Sequence, residues 1–179
     1  MGRTIIIIVY VDDIILTGDH KEEIGKLNSF LAHEFEIKDL GNRKYFLKME
    51  IAKSKMGIAI SQCKYVLNLL KEIRILRCKP VDTPMDYTTK LGTVKGSALV
   101  DKGRNQRLVG KLIYLSHTRP DIAFSVNMVS QFTYNPTKER MKVVYRILRY
   151  LKMTTRKEGI LFQKNTKEKH WNFFRYRLG

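Results

Sequence analysis

Two adjacent carboxylates, Asp12 and Asp13, stand inside "IIIIVYVDDIILTGD", the most apolar stretch of the chain. Seven apolar or aromatic residues, Ile5 to Val11, lead into the pair, and Ile14 to Leu16 lead out of it. Charge held at the tip of an apolar segment is costly unless something neutralises it. A hard divalent cation does so, because Mg²⁺ takes oxygen ligands and keeps waters and substrate phosphates. Two such ions held by carboxylates stabilise both the attacking and the leaving oxygen of a phosphoryl displacement. Asp12 and Asp13 are therefore candidate catalytic residues and candidate metal ligands for nucleotidyl transfer. The plainer reading is a turn, since short polar side chains tolerate left-handed backbone. On the pair alone, that plainer reading prevails.

The elements that would position the pair can be read outward from it. Ile5 to Val11 is rich in β-branched residues and too short for a helix, so it reads as a buried strand. Ile14 to Thr17 reads as the returning strand, with the two carboxylates at the bend. Asp19 and Glu22 have the spacing of a capping box, and Ile24, Leu27 and Leu31 recur at helical intervals, which predicts an amphipathic helix over 20–35. Alternation and turn signals at Leu40-Gly41-Asn42 and Lys55-Met56-Gly57 predict two or three short antiparallel strands. A helix follows over Gln62 to Ile75. "CKPVDTPMD" breaks it and reads as a linker, and 86–100 reads as loop. Three more helices are expected: Asp101 to Ser116, one opening at Pro120 with Thr118 as its cap, and Thr137 to Lys152.

The last of these helices is two-faced. Val143, Val144, Ile147, Leu148 and Leu151 share one side, while Lys138, Lys142, Arg146 and Arg149 fall opposite. A stripe of cations along a helix can follow a phosphate backbone, although a solvated face is the commoner meaning of such a pattern. From Thr137 onward, 13 Lys or Arg stand against 3 Glu. The whole chain has 34 Lys plus Arg against 17 Asp plus Glu, for a formal charge of +17 over 179 residues. That excess attracts polyanions, nucleic acid first and a membrane surface second. An apolar fraction of 44% is enough to bury a core. Cys63 and Cys78 have no CxxC spacing and the four histidines form no ligand pattern, so neither a disulfide framework nor a zinc site is expected. No apolar run reaches the length of a membrane span. The isoleucine run ends in Asp-Asp without a small-residue cleavage site, which argues against a signal peptide. An intracellular, reducing setting is expected, in the nucleus or a cytoplasmic particle.

Tyr10-Val11-Asp12-Asp13 resembles the YxDD motif of reverse transcriptases. In the same order along the chain, "FEIKDLG", "GIAISQCKYV", "CKPVDTPM", "RLVGKLIYLSHTRPDIAFSVNMVSQF" and "RILRYLK" resemble the polymerase of copia-type long-terminal-repeat retrotransposons, over about residues 5–164. The resemblance implies an α+β fold. Residues 1–61 would be the second half of a polymerase palm, an antiparallel sheet with the YVDD hairpin plus a helix. Residues 62–153 would be a helical thumb, and 154–179 the start of a ribonuclease H region, with "GILFQKN" as its first strand. It also implies a primer grip at Phe46, Leu47, Lys48, Met49 and Glu50, within "YFLKMEI". Asp12 and Asp13 would be two of three catalytic aspartates and would bind Mg²⁺, with Mn²⁺ able to substitute. The implied partners are an RNA/DNA template–primer duplex and deoxynucleoside triphosphates.

Several positions depart from the family pattern. The third aspartate comes from an earlier strand in the family, whereas none of the eleven residues before Asp12 is acidic. The family usually has glycine where Lys48 stands, and near Arg74 and Arg77. After Asn165 the pattern stops, and "TKEKHWNFFRYRLG" holds no aspartate for a ribonuclease H site. These departures lead to the expectation of a fragment lacking fingers and first palm half, inactive alone unless the missing half or a second copy completes it; the alternative is a non-catalytic basic nucleic-acid-binding remnant of a retroelement. Trp171, Phe173 and Phe174 belong to this tail, and Lys38, Lys44 and His117 read as ordinary surface or helix-end residues.

Overall fold

The computed structural model describes residues 4–10, 13–35, 45–54, 57–86, 88, 100–155, 158–165 and 170–177, with backbone alone for Tyr10, Asp13, Lys164, Asn165 and His170–Arg177. The chain is α+β and divides into two compact units, Met1–Arg43 and Lys44–Gly179.

In the first unit, β1 (Ile5–Tyr10) pairs antiparallel with β2 (Asp13–Gly18), in a register running from Ile5↔Gly18 to Tyr10↔Asp13. α1 (Lys21–Glu34) follows. The expectation that the isoleucine strand is buried is overturned. Ile6 and Ile8 point to one face of the ribbon and Ile7 and Val9 to the other, yet they are 49%, 48%, 50% and 66% exposed respectively. A two-stranded sheet has no interior of its own, so these residues stay about half exposed or more. The capping box is also absent. His20 is the N-cap of α1, without a side-chain bond. Asp19 instead accepts from the Thr4 N–H at 3.0 Å, closing the open end of the hairpin. Ile24, Leu27 and Leu31 do share the half-buried side of α1.

The second unit holds an antiparallel sheet in the order β3-β4-β5-β6-β7. Its strands are β3 (Tyr45–Phe46), β4 (Met49–Ser54), β5 (Gly57–Ser61), β6 (Glu158–Asn165) and β7 (His170–Arg177). The turn signals at 40–42 and at Lys55-Met56 lie outside the described residues. β5 pairs with β6 across about a hundred residues of chain, from Gly57↔Gln163 to Ile60↔Ile160. The sheet thus joins strands from the segments that the resemblance assigns to the palm and to the ribonuclease H region. Gly57 is required at that junction. Its φ is +154°, and a Cβ there would lie 2.1 Å from the carbonyl oxygen of Phe162.

Four helices build the core: α2 (Cys63–Glu72), α3 (Lys102–Ser116), α4 (Pro120–Ser130) and α5 (Lys138–Thr154). Their buried residues include Leu69, Leu70, Val109, Leu112, Leu115, Ile122, Ile147, Leu148 and Leu151, all at 2% exposure or less, whereas Ile113 of α3 is 42% exposed. Asp101 caps α3 by accepting from the Arg104 N–H, and Thr137 caps α5 by accepting from the Arg140 N–H. α2 ends in a Schellman motif: Ile75 N–H donates to Leu70 O, Arg74 N–H to Lys71 O, and Arg74 takes φ +59°. Thr118 does not cap α4, whose N-cap is Arg119. Thr118 is buried, and its hydroxyl donates to Gln62 Oε1 at 2.6 Å. No described helix is long and apolar enough to cross a membrane.

Candidate functional site

The described ends of the β1–β2 ribbon flank the sequence position of the carboxylate pair. The register ends at Tyr10↔Asp13, so Asp13 is the first residue of β2, one place further into the strand than the expected Asp12-Asp13 bend. Val11 and Asp12, and the side chain of Asp13, lie outside the described residues. Among the described residues, no three His, Cys, Asp or Glu side chains gather into a metal-holding group.

The five residues of the expected primer grip fall on one tight hairpin. Phe46 and Met49 pair across it, and Leu47 and Lys48 form a two-residue turn between β3 and β4. Both turn residues have positive φ, 47° and 60°. Two consecutive left-handed residues are the mark of a type I′ turn, which matches the twist of the strands but suits Asn and Gly better than Leu and Lys. Side chains from the helices hold it there. The Tyr114 hydroxyl of α3 donates to the Leu47 carbonyl. Lys48 Nζ lies 5.2 Å from the centre of the Tyr65 ring of α2. Tyr65 in turn meets Tyr114 edge-on at 5.6 Å. Burial, then Tyr114 and Glu72, push the Tyr65 phenol above its ordinary pKa. Glu50 faces the start of α2, where its carboxylate accepts from Lys64 N–H at 3.1 Å and Ser61 Oγ at 3.2 Å. Gln62, the N-cap, makes no side-chain cap, so Glu50 satisfies that helix end from the neighbouring strand. Glu50 is thereby held in place within the fold.

The cationic side of α5 is less free than its sequence suggests. Arg146 Nη2 donates to Thr83 Oγ1 at 2.9 Å, and Nη1 lies 3.8 Å from Asp86 Oδ2. Lys152 donates to Cys78 O at 2.7 Å. These contacts fasten the Cys78–Asp86 linker onto the helix. The Thr88 hydroxyl, then the Thr88 N–H, and more weakly Arg146 hold the Asp86 carboxyl below its usual range. Lys142 is exposed with Glu139 at 3.9 Å, Lys138 is exposed, and Arg149 is half-buried.

Sequence reading passed over a buried pair. Arg119, at the start of α4, donates through Nε and Nη2 to both oxygens of Asp121 at 2.9 and 2.6 Å, and through Nη2 to Thr154 Oγ1 at 2.5 Å. Both partners are 3% exposed. "RPD" carries little signal, because residues two apart in a helix face different ways.

Residues 1–87 match the reverse transcriptase (RNA-dependent DNA polymerase) family. Over 171 residues the chain is 39% identical to the retrovirus-related Pol polyprotein from transposon RE1 of Arabidopsis thaliana. The chain is a reverse-transcriptase homologue. A second relative is the Pol polyprotein from transposon TNT 1-94 of Nicotiana tabacum, 38% identical over 84% of this chain. A third is an uncharacterized mitochondrial protein of Arabidopsis thaliana, 37% identical over 90% of this chain and 66% of that protein. The chain spans only 12% of the length of each of these two polyproteins. No solved structure matches it. The family match places Asp12-Asp13 and the Leu47–Lys48 turn within its span.

Proposed function

We propose that this chain is the catalytic-hairpin, primer-grip and thumb portion of the RNA-directed DNA polymerase of a copia-type retrotransposon. Residues 1–61 are read as palm, 62–153 as thumb and 154–179 as the start of the ribonuclease H region. The reading is carried by the reverse transcriptase match over residues 1–87, which spans Tyr10-Val11-Asp12-Asp13 and the apolar stretch before it. Its substrates are a template–primer duplex and deoxynucleoside triphosphates.

Asp12 and Asp13 are hard oxygen donors of the kind Mg²⁺ takes, and they are the residues that would hold it. When bound, the metal neutralises charge on the phosphates during transfer. The chain's own contribution is positional. The β1–β2 register runs up to Tyr10↔Asp13, next to Asp12 in the chain, and the Leu47–Lys48 turn, fixed by Tyr114, offers a tip against which a primer end can rest. Phosphoryl transfer depends almost wholly on positioning and charge neutralisation, and two adjacent carboxylates anchor an octahedral ion weakly. A 179-residue polypeptide of this sequence is therefore expected not to extend a primer by itself.

The test is extension of a labelled primer on an RNA template with Mg²⁺ or Mn²⁺. The chain is assayed alone and with a separately expressed fingers-and-first-palm segment of a related polyprotein. Extension should appear only with the supplement and should vanish in an Asp12→Asn, Asp13→Asn variant. Extension that survives that double substitution would overturn the assignment.

A further inference from the structure

Helix α3 carries three cations on one side, Arg104, Arg107 and Lys111, at spacings of three and four residues. Such spacings align side chains along one face. All three line a single cleft of about 230 Å³, whose remaining walls are Leu108 of the same helix and Glu72 and Ile73 at the end of α2.

The three cations are not equivalent. Lys111 Nζ donates to both oxygens of Glu72 at 2.6 Å, so its charge is matched within the fold and the pair ties α3 to α2. Arg104 and Arg107 are exposed, and among the described residues neither guanidinium has a hydrogen-bond or ion-pair partner. They stand about 4.5 Å apart along the helix axis, in the turns nearest the positive end of the α3 dipole. Each offers a planar fork of donors suited to phosphate oxygens. On the helix that the sequence favoured for this task, Arg146 is engaged by Thr83 and Asp86 and Lys142 stands by Glu139, while Lys138 is exposed and Arg149 half-buried.

We propose that Arg104 and Arg107 form a nucleic-acid contact that grips successive phosphates of one strand at the cleft between α3 and the end of α2. The Lys111–Glu72 pair is its neutral, rigid flank. This rests on the reading above that the chain binds nucleic acid. A net charge of +17 attracts polyanions, and the reverse transcriptase match over residues 1–87 favours nucleic acid among them.

The experiment measures binding of the full chain to a fluorescein-labelled RNA–DNA hybrid by anisotropy, from 50 to 200 mM salt. Each phosphate contact contributes about 0.9 to the slope of log affinity against log salt. An Arg104→Gln, Arg107→Gln variant should therefore lose about 1.8 from the slope, so that the fourfold rise in salt weakens it about 12-fold less than the parent. An Arg104→Lys, Arg107→Lys variant should keep the slope, which separates lost charge from lost fold. If the parent binds and the glutamine variant matches it in affinity and slope, the contact on α3 is refuted while nucleic-acid binding stands. If the parent shows no binding, both fall. If the glutamine variant loses binding to phosphatidylserine vesicles but keeps the hybrid, the surface belongs to a membrane and the proposal is overturned.

Discussion

Replacing Arg119 with alanine should be among the most damaging single changes in the helical unit. The guanidinium makes a side-on pair with Asp121 and a third bond to Thr154, whose own hydroxyl donates to Tyr150 O at 3.1 Å. The Tyr150 ring lies 5.9 Å from the guanidinium carbon. One residue thus joins the start of α4 to the end of α5. With both side chains 3% exposed, the relevant comparison is a buried pair, not a surface one. A surface pair would cost about 0–1 kcal/mol to lose. Breaking a buried pair strands a carboxylate without water and costs about 3–5 kcal/mol. The alanine also opens a cavity against Tyr150, which adds to that figure. In urea, with a slope of about 2 kcal/mol per M, the midpoint should fall by about 2 M. Removing both charges is a different perturbation, because no unpaired charge remains. An Arg119→Met, Asp121→Leu double variant should recover most of the loss, as apolar replacement of a buried pair is often neutral. The measurement is urea unfolding followed by circular dichroism. A single-variant loss below about 1 kcal/mol, or a double variant worse than the single, would refute the account of this contact as a buried clasp.

Three further outcomes follow from particular backbone and side-chain positions. Gly57→Ala places a Cβ 2.1 Å from Phe162 O at φ +154°, so thermal melting should show a loss of more than about 1 kcal/mol centred on the β5–β6 pairing. Lys48→Gly should relieve about 1–2 kcal/mol of left-handed strain and forfeit about 0.5–1 kcal/mol from the contact with Tyr65, leaving a small rise in melting midpoint. Asp86 is held below its usual pKa first by Thr88, so the attachment it provides is full above the ordinary carboxylate range and fades as pH falls through the lowered value. In an NMR titration of the Asp86 carboxyl carbon, Thr88→Val should raise the midpoint more than Arg146→Gln does.

How much of this was legible depends on how local the cause is. Helices α2, α3 and α5 could be read because each buries a periodic face, as Val143, Val144, Ile147, Leu148 and Leu151 do in α5, and α4 could be read from Pro120 at its start. No turn signal marked the Leu47–Lys48 turn between β3 and β4, but the β3–β4–β5 strands could be read from alternation. The pairing of β5 with β6 could not, because nothing near Gly57 says that its partner lies about a hundred residues away. The apolar character of Ile5 to Val11 was legible, but burial depends on what packs against a ribbon, and Ile6 to Val9 remain exposed. The α5 stripe was visible as charge opposite a core face. Whether its cations are free depends on where the Cys78–Asp86 linker runs, and only the fold shows Arg146 and Lys152 engaged by it. The Arg104, Arg107 and Lys111 spacing was present in the sequence too, but only their unequal partners distinguish them.

The departures from glycine are the most informative residues of the candidate site. The resemblance places glycine at Lys48 and near Arg74, and the structure gives Lys48 and Arg74 themselves left-handed backbone, φ +60° and +59°. A non-glycine residue there costs about 1–2 kcal/mol, a large share of a net stability of about 5–15 kcal/mol. Strained residues persist only where the surroundings over-determine them. At Arg74 that constraint is the Schellman motif, with Ile75 and Leu70 both in the core. At Lys48 it is the Tyr114 hydroxyl on the neighbouring Leu47 carbonyl and the Tyr65 ring beneath the ammonium. The side chains at these two sites therefore sit on turns whose shape is set by α2 and α3 and not by their own preferences. The turn at the tip of the proposed grip is consequently as rigid as the helices that hold it, and a change in α3 at Tyr114 should reach Leu47 and Lys48 more directly than a change in either residue's own charge.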